Sequence, residues 1–127
     1  MIEKDTRPVN LDLTTMHLPI SGVVSILHRI CGVAIFFGFL SFVWILDRSL
    51  SSKSSFQSLL VQLETPFLKV FMILMVSAFL YHLLAGIKHL LADFFGIGET
   101  LRSSQILSWV TLFLFMCSLL LSIVFLW

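Results

Sequence analysis

Three apolar runs, at about residues 21–46, 66–92 and 105–127, constrain this chain more than any other feature. Each matches or exceeds the ~20 residues a helix needs to cross a ~30 Å hydrocarbon core. Soluble helices and strands are not apolar all round over such lengths. The runs predict an all-α integral membrane protein, a bundle of three transmembrane helices forming one domain behind an N-terminal segment of residues 1–20. Hydrophobic residues make up 58% of the 127 and charged ones 12%, with a mean hydropathy of +1.04. Soluble domains are roughly half apolar and a quarter charged, so this composition excludes a soluble enzyme.

A formal net charge of +1 and the lack of a basic stripe argue against a nucleic-acid partner. Cys31 and Cys117 lie inside apolar runs without CxxC or Cys/His spacing. Neither a disulfide framework nor a zinc site is expected, and both cysteines read as small core residues. Met1 to Pro19 is polar and mixed in charge, without the apolar stretch of a cleavable signal. An uncleaved N-terminus points to a bacterial inner membrane, with a processed mitochondrial product as the alternative.

The segment Arg7-Pro8-Val9-Asn10-Leu11-Asp12-Leu13 is expected to be extended and outside the lipid. Pro19 suits the first turn of the first helix, with Ser21 as an alternative cap, and that helix runs to about Leu46. Asp47 to Glu64 is serine-rich and reads as a surface loop, with Phe56, Leu59 and Leu60 at the interface. Asp93 to Ser104 forms a short connection, and the last span ends on Trp127 as an aromatic anchor. Lys4, Arg7, Arg29, Lys88 and Arg102 fall on one side, and Arg48, Lys53 and Lys69 on the other. The excess places the N-terminus in the cytoplasm.

Ionisable residues inside a span are costly and therefore functional candidates. On the second span His82, Gly86, His89 and Asp93 share one helical face. His82 lies roughly 16 Å from the Asp93 end, near mid-membrane. A neutral imidazole is tolerated there when its nitrogens are occupied. Haem iron would occupy one nitrogen, Gly86 would let a flat macrocycle approach, and His89 would meet a propionate. A hydrogen bond from His82 to a neighbouring helix satisfies the same spacing. His17, His28 and His89 all lie towards the cytoplasmic side, so a second axial histidine is expected from a partner subunit.

The first span carries Ser25, His28, Arg29 and Gly32 near the membrane surface. A hydroxyl and a permanent cation suit a quinone: Ser25 can bond a carbonyl oxygen, and Arg29 can stabilise charge developing during reduction. An Arg29 that reaches lipid phosphates and only sets topology satisfies the pattern equally.

Three segments together carry a resemblance: Arg7 to Leu13, the S-x-x-H-R-x-x-G pattern of Ser25 to Gly32, and the H-x-x-x-G-x-x-H pattern of His82 to His89 continuing to Asp93. With them the chain resembles the cytochrome b membrane-anchor subunits of succinate dehydrogenase over nearly its whole length. The resemblance implies a complex of flavoprotein, iron–sulfur protein and two small anchors that passes electrons from succinate to ubiquinone. It implies His82 as an axial ligand of haem b shared with the second anchor, and Ser25 and Arg29 at the quinone site. It further places His28, Arg29 and His89 by the haem propionates, with Asp93 and Glu99 supplying protons. The chain has no flavin or dinucleotide fingerprint and no iron–sulfur cysteine set, so it is not catalytic alone. Two rivals remain at this stage: a fumarate reductase anchor using menaquinol, and a small transporter or scaffold without haem.

Overall fold

The computed structural model describes residues 17–126. The expected extended segment from Arg7 to Leu13 and the Trp127 anchor lie outside the described residues. The chain forms four helices: α1 (Ile20–Ser51), α2 (Lys53–Leu63), α3 (Pro66–Phe95) and α4 (Leu101–Leu126). Among the described residues there is no strand. Three of the helices, α1, α3 and α4, are long and apolar enough to span a membrane. At 32, 30 and 26 residues they measure about 48, 45 and 39 Å. Each exceeds the hydrocarbon thickness, so each tilts or protrudes.

The helix ends explain where the sequence boundaries shift. Pro19 is the cap of α1 rather than its first residue, and its carbonyl accepts from the Gly22 amide at 2.8 Å and the Val23 amide at 3.2 Å. The serine-rich stretch expected as a loop is instead a continuation of α1 to Ser51 followed by α2. Its serines mark the break between the two helices. The Ser52 hydroxyl accepts from the Ser55 amide at 3.1 Å and caps α2, while the Ser55 hydroxyl donates to the Arg48 carbonyl at 2.8 Å. Phe56, Leu59, Leu60 and Leu63 recur at helical spacing. Of the first three, Leu59 is buried, whereas Phe56 and Leu60 are exposed.

Pro66 opens α3, and the Lys69–Glu64 ion pair at 2.6 Å braces the turn before it. Gly96 closes α3 in the left-handed region at φ 66, with the Gly96 amide on Ala92 and the Ile97 amide on Leu91. The Thr100 hydroxyl accepts from the Ser103 amide at 3.2 Å, so α4 begins at Leu101 and not near Gln105.

Helix α3 packs against both α1 and α4. Val24, Tyr81 and Ala85 are buried at its centre, with Ile20, Cys31, Leu112 and Phe115 around them. Tyr81 meets Phe115 edge to face at 5.1 Å. Most large apolar side chains of α1 and α4 are exposed, as surfaces facing acyl chains or another subunit are. Cys31 joins the core, but Cys117 is exposed, contrary to its reading as a core residue.

Candidate functional site

Val24, His28 and Gly32, spaced four residues apart, form a column on the face of α1 turned towards α3. Against it α3 sets Tyr81, His82 and Ala85. The Tyr81 hydroxyl donates to the Val24 carbonyl at 3.0 Å, a buried bond that pins the two helices together one turn before His28. There the imidazoles of His28 and His82 stack, with centroids 4.1 Å apart and planes 18° from parallel. His89 lies one ring beyond, 5.3 Å from His28 and tilted by 39°.

His82 Nδ1 lies 3.1 Å from the His28 carbonyl oxygen. A carbonyl can only accept, so Nδ1 carries the hydrogen, and in the neutral ring Nε2 keeps the lone pair. A metal-ligating histidine is commonly held this way. His28 Nε2 is buried and makes no hydrogen bond among the described residues, which is rare enough in folded proteins to call for a partner.

One sequence reading is corrected by this packing. His28 was placed shallower than His82, whereas ring stacking brings the two imidazoles to one level. A Cβ at Gly86 would sit 3.6 Å from His28 Nε2. Gly32 is the tighter contact, since a Cβ there would fall 3.0 Å from His82 Cε1 and 3.4 Å from Nδ1. Rings stacked at 4.1 Å leave no room for a macrocycle between them. In this arrangement His28 and His82 do not face each other across a site for one iron. Among the described residues no group of three or more His, Cys, Asp or Glu forms a metal cage.

The stripe beside the histidine column holds Ser25, half-buried, and Arg29, exposed. Asp93 and Glu99 are both exposed, and the Glu99 carboxylate lies close to Gly96 at the α3 terminus. An apolar groove of about 460 Å³ between α1 and α3, lined by Gly38, Phe42, Met72, Met75 and Phe79 among others, contains no titratable side chain and lies apart from this cluster.

Sequence reasoning gave Tyr81 and Lys88 no role at the site. Lys88 is buried on α3, and its amino group donates to the Ser108 hydroxyl at 2.9 Å, which in turn donates to the Ser104 carbonyl at 2.7 Å. Ser108 and Thr111 are buried where α3 meets α4. The available signal was a lysine inside one apolar span and small hydroxyl residues on the next.

Fold and site define a multi-pass helical membrane protein with a cluster of imidazoles inside its helices. The chain belongs to the succinate dehydrogenase/fumarate reductase transmembrane subunit family, whose family model matches residues 3–125. It is 35% identical to a succinate dehydrogenase cytochrome b556 subunit of Coxiella burnetii over 122 residues, 95% of this chain and 97% of that one. A subunit of the same name from Rickettsia typhi is 35% identical, covering 91% of this chain and 87% of its own length. The Paracoccus denitrificans subunit is 29% identical, with 84% of each chain covered. The resemblance drawn from the two histidine motifs is therefore correct.

Proposed function

We propose that this chain is the cytochrome b anchor of a succinate:ubiquinone oxidoreductase in a bacterial inner membrane, with its N-terminus in the cytoplasm. It pairs with a second small anchor and, through it, with the iron–sulfur and flavoprotein subunits. The two anchors share haem b, His82 giving one axial ligand and a histidine of the second anchor the other. The observation that carries this reading is the bond from His82 Nδ1 to the His28 carbonyl. It fixes an imidazole inside a span with its Nε2 lone pair available, on a chain matched by cytochrome b subunits along most of its length.

Haem b held by His82 and a partner histidine would supply a one-electron redox centre suited to electron transfer. The chain's own residues do the rest. His28 Nε2, buried without a partner, and His89 beside it offer hydrogen bonds to propionate oxygens, with Arg29 adding charge. Arg29 and Ser25 lie on the neighbouring stripe, accessible to a pocket completed by other subunits. There Ser25 donates to a ubiquinone carbonyl oxygen and Arg29 stabilises the negative charge that reduction places on the ring oxygens. Asp93 and Glu99, both exposed, relay protons to the reduced oxygens from the cytoplasmic side.

The names of the relatives favour succinate oxidation over the fumarate-reducing direction. A complex assembled with His82→Leu is expected to lose or shift the reduced b-type absorbance. An unchanged spectrum and midpoint potential would remove His82 from the iron. A wild-type complex without any haem band would favour the transporter or scaffold alternative.

A further inference from the structure

The geometry points to Gly32 as the positioning residue that, with the His28 carbonyl, sets the orientation of the His82 imidazole. The inference rests on reading His82 as an axial ligand of haem. Two constraints act on that ring from α1. The His28 carbonyl holds Nδ1 at 3.1 Å, which leaves Nε2 as the nitrogen that keeps the lone pair of the neutral ring. The missing side chain at position 32 leaves the space in which the Cε1 and Nδ1 edge of the ring sits, at 3.0 and 3.4 Å from the place a Cβ would take. A methyl group there forces the ring outward by a few tenths of an ångström or rotates it about its bond to the backbone. The stacked His28 ring, 4.1 Å away on one face, limits rotation in that direction. The S-x-x-H-R-x-x-G pattern thus places on one face of α1 both the carbonyl that orients the ring and the gap that admits it. Four residues separate His28 from Gly32, so the two act one turn apart.

An axial ligand displaced or rotated at one iron changes the angle between the two ligand planes and the strength of its bond. Low-spin ferric g-values and the reduced α-band read these directly, whereas a loss of general stability lowers haem content without moving either. The test is Gly32→Ala in the complex in its own membranes, with Gly22→Ala as the control on the same helix. The nearest atoms to a methyl at position 22 belong to Pro19 and Leu18, at 3.8 Å or more, ordinary van der Waals contact. Gly32→Ala is expected to shift both signals in the haem that remains, and Gly22→Ala to shift neither. Wild-type g-values and α-band in Gly32→Ala overturn the inference. If that variant does not accumulate, nitrogen-15 spectra of histidine in the reduced wild-type complex decide the matter. A protonated, hydrogen-bonded Nδ1 on His82 supports the inference, and a free Nδ1 overturns it. His82→Leu separates the two levels. If it leaves the spectrum intact, the ligand assignment fails; if it abolishes the signal while Gly32→Ala is silent, only the role of Gly32 fails.

Discussion

Replacing Ser108 with alanine removes the hydrogen-bond partner of a buried amino group. Lys88 is 8% exposed and Ser108 is 0% exposed, and their 2.9 Å bond crosses from α3 to α4. The hydroxyl has its own hydrogen on the Ser104 carbonyl at 2.7 Å, so its lone pairs are free to accept from Lys88. In Ser108→Ala the carbonyl keeps its helical bond, the volume changes little, and the loss falls on Lys88. A bond to an unpaired buried group is worth about 1–3 kcal/mol, while interhelical bonds in membranes reach at most about 1.7. The expected cost is about 1–1.7 kcal/mol, a factor of roughly 5–18 in the folded ratio. Lys88→Met keeps an unbranched stem and leaves the Ser108–Ser104 bond intact, so it is expected to be near neutral or stabilising. Ser108→Ala is then expected to cost nearly nothing in the Lys88→Met background. Unfolding in mixed micelles by sodium dodecyl sulfate titration, followed by tryptophan fluorescence, measures all four corners of this cycle. An equal Ser108→Ala cost in both backgrounds refutes the reasoning, because the bond then carries no energy.

Arg29→Leu is expected to lower succinate:ubiquinone activity at least tenfold in a complex of normal flavin and haem content, since one such charge donor contributes ~3 kcal/mol. Ser25→Ala costs less, both variants keep electron transfer from succinate to an artificial acceptor, and a wild-type ubiquinone rate in Arg29→Leu reduces Arg29 to a topology signal. Single cysteines at Ser54 and Ser103, in a background lacking Cys31 and Cys117, are expected to label from the periplasm and the cytoplasm respectively. The reverse pattern inverts the orientation.

Three spans and the histidine motifs were legible in the sequence because their cause is local. A run long enough to cross a bilayer without charges has one stable conformation there, in which each backbone group bonds within its own segment. The sequence by itself also determined which side chains share a stripe: Ser25 with Arg29, and His82 with His89. Helix α2 was legible in part. Phe56, Leu59, Leu60 and Leu63 have helical periodicity, but the surrounding serines read as loop formers. Their hydroxyls in fact satisfy the amide of one helix end and the carbonyl of the other.

Contacts between spans belong to the tertiary structure alone, because hydropathy in a uniformly apolar helix says little about which face meets a neighbour. The stacking of His28 on His82, the seating of His82 on Gly32, and the burial of Lys88 against Ser108 depend on how α1 and α4 lie on α3. Side-chain volume and hydrogen-bond pairing decide those positions. A missing Cβ admits a ring, a carbonyl takes an imidazole hydrogen, and a hydroxyl meets an amine, all between residues 20 to 54 positions apart in the chain.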